Sequence, residues 1–174
     1  MGEAMRRLVL MRHAKSSWDD PDMDDRDRPL SPRGRLAAVL MGAWLAEVGL
    51  VPDAALISDS RRTVETWERL RHGGGFEAPV EARAALYMAD PDAQLAALRS
   101  APEGARVLLM LGHEPGTGAF LRRLADGTEG AGCRRAYEKF PTGSIAVLEF
   151  DGAWAEAAYR AARFVRFTTP KDLV

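Results

Sequence analysis

Residues 8–11, Leu-Val-Leu-Met, and residues 107–111, Val-Leu-Leu-Met-Leu, are short runs without a single polar side chain. A strand that is apolar on both faces must be covered on both faces, which favours a parallel sheet sandwiched between helices. The covering helices can be read from the segments between. Ser31 is a natural N-cap, Pro32 suits the first helical position, and Gly49 stands where a left-handed residue would close the helix. Between them Leu36, Leu40, Trp44 and Val48 repeat at helical spacing, widened by Ala37, Met41 and Leu45. Residues 54–57 read as another strand. Residues 61–71 read as a helix with Val64, Trp67 and Leu70 on one face, stopped by Gly73-Gly74-Gly75. Asp90-Pro91 repeats the cap-and-proline start ahead of Leu95 and Leu98, and Phe120, Leu121 and Leu124 mark a helix ending near Gly127. Residues 145–150 and 154–159 flank Asp151-Gly152, a dipeptide suited to a tight hairpin turn. The expectation is one domain over residues 1–174: a three-layer α/β/α arrangement with a mostly parallel central sheet and an antiparallel edge hairpin.

Charge narrows the function classes. The chain's 24 Lys and Arg against 25 Asp and Glu leave a net charge of −1, without the global basic field of a non-specific nucleic-acid binder. The single cysteine, Cys133, cannot form an internal disulfide. The longest apolar stretch, residues 36–46, falls short of the roughly 20 residues a membrane span needs. After Arg6-Arg7 only residues 8–11 are apolar before Arg12, which does not fit a secretory signal, and Arg6 disfavours myristoylation. The expectation is a cytoplasmic protein with neither nucleic acid nor membrane as partner.

In open α/β sheets ligands bind beyond the carboxyl ends of the strands. The first apolar strand runs straight into Arg12-His13, and the other into Gly112-His113. Two of the three histidines therefore follow the two strongest strand candidates. Another tip, Ile57-Ser58, opens onto Arg61-Arg62 at a helix start, where free amides and the helix dipole favour an anion. Imidazoles and guanidiniums converging there suit a phosphoryl group: arginines neutralise its equatorial oxygens while a neutral imidazole attacks phosphorus in line. On spacing alone, a phosphatase and an anion-binding module both remain open.

Residues 8–18, with an apolar strand ending in Arg12-His13, resemble the signature of the histidine phosphatase superfamily. The continuation Ala14-Lys15-Ser16 is similar to its small SixA-type branch, the phosphohistidine phosphatases. Arg28-Pro29-Leu30 ahead of the Ser31-Pro32 helix start resembles that branch too. So do Ser58, Arg62 and Thr66 in a Ser-x-x-x-Arg-x-x-x-Thr element, Gly112-His113-Glu114-Pro115 against the branch's Gly-His-Asn-Pro, and Pro141-Thr142-Gly143-Ser144. The resemblance implies His13 as nucleophile, forming a phosphohistidine intermediate that water hydrolyses. It implies Arg12, Arg62 and His113 as the rest of the catalytic phosphate pocket, Arg28 as a further phosphate ligand, and no metal or organic cofactor. Neighbouring arginines would help hold His13 neutral. Three departures stand out: Glu114 in place of Asn, beside His113 and able to raise its pKa; Asp59 in place of Pro; and Ala14 in place of Gly.

Larger members that cleave phosphate esters carry a glutamate general acid two residues past a leucine. Here Leu86-Tyr87-Met88 has no carboxylate, although Asp19 or Glu114 could supply a proton. An alkoxide leaving group needs such a donor, commonly worth about 10²–10⁴ in rate, whereas imidazole leaves more readily. The implied substrate is thus a phosphohistidine-bearing carrier or phosphotransfer protein, with phosphate or another tetrahedral anion in the pocket. The alternative is a metal-independent phosphomonoesterase or mutase acting on a small phosphorylated metabolite.

Rival motifs fail on spacing. Counted from Asp20, residues 20–31 have Asp25 where a calcium loop needs Gly and Ser31 where it needs Glu, so the acidic run at 19–25 reads as a solvated rim. Cys133 lacks an arginine six residues on, Gly73-Gly74-Gly75 lacks a following Lys-Ser/Thr, and no two histidines have zinc-ligand spacing. Trp18, Trp44, Trp67 and Trp154 fall mainly on apolar faces and are expected in the core.

Overall fold

The structure, a computed structural model, describes residues 5–174; the reading of a leader or modified start, so far as it rests on residues 1–4, lies outside them. In chain order the elements are β1 (Arg6–Arg12), α1 (Pro32–Glu47), β2 (Ala54–Ser58), α2 (Arg61–Gly74), β3 (Val80–Arg83), α3 (Pro91–Arg99), β4 (Val107–Gly112), α4 (Gly116–Leu124), α5 (Cys133–Glu138), β5 (Ile145–Phe150) and β6 (Arg163–Thr168). The strands form one sheet in the order β3-β2-β4-β1-β5-β6. β3, β2, β4 and β1 are parallel, while β5 runs antiparallel to both of its neighbours and ties β6 on as the edge.

Alternation along the strands splits the core into two layers. Leu8, Leu10, Leu108 and Met110 face Leu98, Phe120, Leu124 and Ala136 of α3, α4 and α5. Val9, Met11, Leu109 and Leu111 face Met41, Leu45, Trp67 and Leu70 of α1 and α2. The doubly apolar runs thus form the middle of an α/β/α sandwich.

Three local expectations need correction. The α1 stripe is partly rotated: Met41, Trp44 and Leu45 are buried as expected, but Leu36 is 69% exposed and Gly34, Ala38 and Gly42 complete the buried face. The reason is close approach to α2, since a Cβ on Gly42 would meet the Leu70 carbonyl oxygen at 2.0 Å and one on Gly73 the Val39 oxygen at 2.0 Å. Gly73 and Gly74 accordingly lie inside α2, and Gly75 (φ 65°) caps it. The edge hairpin exists, but its second arm is β6; residues 154–159 do not form it. Trp154 is fully buried in a 3₁₀ turn, packs edge-on against Phe150, and donates from Nε1 to Ala105 O at 2.8 Å, which a strand there could not combine. Trp18 is no core residue: it is 70% exposed and stacks under the Arg28 guanidinium.

Candidate active site

Three adjacent parallel strands, β2, β4 and β1, end on the same edge of the sheet. The register pairs Arg12 with Gly112, so the next residues, His13 and His113, come level with ring centroids 5.3 Å apart. β2 delivers Ser58, whose hydroxyl lies 2.8 Å from His113 Nε2. Arg62 enters from the first turn of α2, a helix whose N-cap Ser60 accepts from the Thr63 amide. Arg28 comes from the far side, on the chain leading into α1, and is buried over the Trp18 ring at 3.5 Å.

These groups surround a cavity of about 160 Å³ lined by Arg12, His13, Arg28, Arg62, His113 and the rim residues Ser16, Trp18, Asp25, Met88 and Glu114. All five residues singled out from the sequence are therefore brought together. His13, Arg28, Arg62 and His113 are all buried. Arg12 donates to Phe140 O at 3.0 Å, which anchors the segment before β5 against the site. The Nε of Arg12 and the Nε and Nη1 of Arg28 are buried with no hydrogen-bond acceptor among the described residues. Buried cationic N–H groups without acceptors are costly.

Hydrogen bonds set the state of both imidazoles. His13 Nδ1 lies 2.7 Å from the Ala14 carbonyl, which can only accept, so that nitrogen carries the proton. Nε2 is left with its lone pair and accepts from Arg62 Nε at 3.3 Å. The Nη2 of Arg62 donates to His113 Nδ1 at 3.2 Å, so His113 carries its proton on Nε2, toward Ser58. Burial, then the neighbouring positive groups, press His13 down from 6.5 to about 3 against the Ala14 bond, and His113 to about 4. The arginines thus help as expected, but desolvation is the larger cause.

Glu114 does not raise His113. Its carboxylate accepts from the Gly118 amide in the first turn of α4, and the carboxylate that opposes the downward shift of His113 is Asp25. Asp59 pairs with Arg26 at 3.0 Å and does not line the cavity. Asp19 also lies outside that lining.

Asp25 and Tyr87 are the groups that sequence reasoning missed. Asp25 belongs to the acidic run read as a solvated rim, yet its Oδ2 takes a bond from Arg62 Nη2 at 3.0 Å and another from the Tyr87 hydroxyl, and its backbone oxygen takes one from Arg62 Nη1 at 2.7 Å. The Tyr87 hydroxyl bond, then the arginines, hold this carboxyl below its usual range despite partial burial. The signal that could have revealed it is spacing: Asp25 and Arg28 are three apart across a 3₁₀ turn, which leaves them paired at 3.7 Å.

Comparison with known proteins agrees with this arrangement. The profile of the histidine phosphatase superfamily (branch 1) matches residues 8–87. An uncharacterized protein of Mycobacterium tuberculosis is 40% identical over 163 residues, covering 92% of this chain and all of the relative. The structure of a candidate phosphohistidine phosphatase SixA from Nakamurella multipartitia superposes with a TM-score of 0.83 at 32% identity, covering 98% of this chain and 99% of that one. The protein histidine phosphatase SixA complexed with tungstate shares the fold, with a TM-score of 0.80 at 23% identity and coverage of 97% and 99%. Profile, full-length likeness and strand-tip geometry converge, and the chain belongs to the histidine phosphatase superfamily.

Proposed function

We propose that the protein hydrolyses phosphohistidine on a partner protein through a covalent intermediate on His13. The observation that carries this reading is the orientation of His13: Nδ1–H is held by the Ala14 carbonyl, so the unprotonated Nε2 faces a cavity lined by Arg12, Arg28, Arg62 and His113. In the first step Nε2 attacks phosphorus in line and a new N–P bond forms on His13, while the substrate's N–P bond breaks and its imidazole, already protonated by solvent on the other ring nitrogen, leaves neutral. In the second, water attacks the phosphoryl group, releasing phosphate and returning neutral His13. For the attack by Nε2 the Arg62 Nε–H, which meets the Nε2 lone pair at 3.3 Å, turns from it to a phosphoryl oxygen, while the other guanidiniums are already in place where preformed positive charge is most effective.

Leaving-group chemistry favours a phosphoramidate over an ester. Position 88 is a methionine, and the two carboxylates at the cavity are otherwise engaged: Asp25 is ion-paired with Arg62, and Glu114 caps α4. Neither is disposed as a proton donor to an alkoxide. The SixA likeness supports the same choice. A metabolite phosphomonoesterase is the second reading, favoured by the smallness of the 160 Å³ cavity, which admits a phosphate on a compact stem. The test is turnover of a phosphorylated histidine-containing carrier against a panel of sugar phosphates and phosphoglycerate, with His13→Ala as control. Faster turnover of the carrier, abolished by the substitution, is the expected result; faster turnover of the metabolites would select the second reading.

A further inference from the structure

Beside the catalytic cavity lies a separate groove of about 340 Å³, ringed by Lys15, Arg33, Lys139 and Lys171. These cations come from four places: the chain after β1, the first turn of α1, the residue after α5, and the C-terminal 3₁₀ turn. All four are exposed, and none makes an ion pair or side-chain hydrogen bond among the described residues. No acidic residue lines the groove. Several arginines elsewhere are neutralised locally, as Arg26 is by Asp59, Arg71 by Glu77 and Arg135 by Asp172. In a chain of net charge −1, four unpaired like charges around one hollow repel one another and give the fold nothing in return.

Position links the groove to the reaction. Lys15 is two residues beyond His13. The groove's Pro141 and Thr142 belong to the segment 140–143, in which Phe140 O accepts from Arg12 Nη1 at 3.0 Å and the Gly143 amide donates to His13 O at 2.8 Å. Lys15 lines the groove and its chain neighbour Ser16 lines the catalytic cavity, so the two hollows are one residue apart along the chain. The lining also distinguishes the kind of ligand. A small anion is held by buried, prearranged donors, as in the catalytic cavity. Here the cations sit on long exposed stems around Ala37, Pro141 and Pro170, the pattern of a macromolecular rim with an apolar floor.

We propose that this groove docks a carboxylate-rich surface of the protein that carries the phosphohistidine, so that the enzyme selects substrates with acidic side chains near the phosphorylated ring. The proposal rests on the phosphohistidine reading above and adds the recognition surface to it.

The test is the double reversal Lys139→Glu/Lys171→Glu, compared with wild type on two substrates: phosphoramidate, and a phosphorylated histidine phosphotransfer protein with an acidic face. At low ionic strength kcat/KM on the protein substrate is expected to fall about tenfold or more, within the range of electrostatic steering, mostly through KM. The phosphoramidate rate should stay within about twofold, which also reports an intact fold. Added salt should lower the wild-type rate on the protein and barely change that of the variant. Equal rates of the two enzymes on the protein substrate, or an equal fall on both substrates, would overturn the groove. Absence of wild-type turnover on any phosphohistidine protein, with metabolite turnover intact, would instead overturn the functional reading and the proposal with it.

Discussion

The Asp25 carboxylate sits on the Arg62 guanidinium, Oδ2 to Nη2 3.0 Å, while the same guanidinium turns its Nε toward the lone pair of His13 at 3.3 Å. One arginine thus joins the proposed nucleophile to an acidic residue of the rim. A bound dianion and Asp25 compete for the same positive charge.

Asp25→Asn should therefore tighten oxyanion binding. The carboxylate side chain is 46% exposed, so the pair is worth at most about 1 kcal/mol, which corresponds to roughly fivefold in affinity. Competitive inhibition by tungstate or vanadate measures it. Weaker inhibition of the variant would mean that Asp25 positions Arg62 for the anion and does not compete with it.

The buried neutral histidines make stability depend on pH in a definite direction. His13 and His113 titrate near 3 and 4 when folded, against 6.5 as the ordinary value, so between those limits the unfolded chain binds more protons. Stability is then full above about pH 6.5 and falls as the pH drops toward 4, by about 1.4 kcal/mol per pH unit for each histidine across the window. Urea unfolding from pH 4 to 7.5 should show this slope, and His13→Asn should flatten it. An unchanged slope in the variant would contradict the neutral assignment.

Helix packing gives a prediction independent of chemistry. Gly42→Ala places a Cβ 2.0 Å from the Leu70 carbonyl oxygen, and backbone cannot yield as a side chain can. Overpacking of this kind costs about 1–3 kcal/mol, a fall in Tm of several degrees at this chain length. Gly104→Ala, with nothing within 4 Å, is the matched control and should leave Tm unchanged.

Trp18 should matter to the site although it lies on the surface. Its ring supports the Arg28 guanidinium at 3.5 Å, a contact worth about 0.5–1 kcal/mol when exposed. Trp18→Ala is expected to raise the inhibition constant for tungstate two- to fivefold, with a fall in Tm of no more than about 4 °C. An unaltered inhibition constant would show that burial alone fixes Arg28.

The parts of this molecule that were legible in the sequence are those set by strong local constraints. Residues 8–11 and 107–111 are apolar throughout, which marks central strands and places His13 and His113 at neighbouring tips. Ser31-Pro32 and Asp90-Pro91 mark helix starts that the structure retains, with Ser31 and Asp90 accepting from the Gly34 and Ala93 amides. What was illegible depends on tertiary approach. β3 reads Val-Glu-Ala-Arg, without a clear period, and is a strand because β2 offers it a free edge. The buried face of α1 includes Gly34, Ala38 and Gly42 beside Met41, Trp44 and Leu45, and small residues at a close helix contact carry no hydrophobic signal, whereas the exposed Leu36 does. Asp25 looked like one of several solvated carboxylates, and only the fold brings Arg62 and Tyr87 to it.

The central claim is that phosphorus is transferred to Nε2 of His13. Rapid mixing with a ³²P-labelled phosphohistidine carrier, an alkaline quench that preserves N–P bonds, and peptide mapping test it most directly. Transient label is expected on the peptide containing His13 and is expected to be absent in His13→Ala. Label on another residue, or undiminished turnover by His13→Ala, would contradict it.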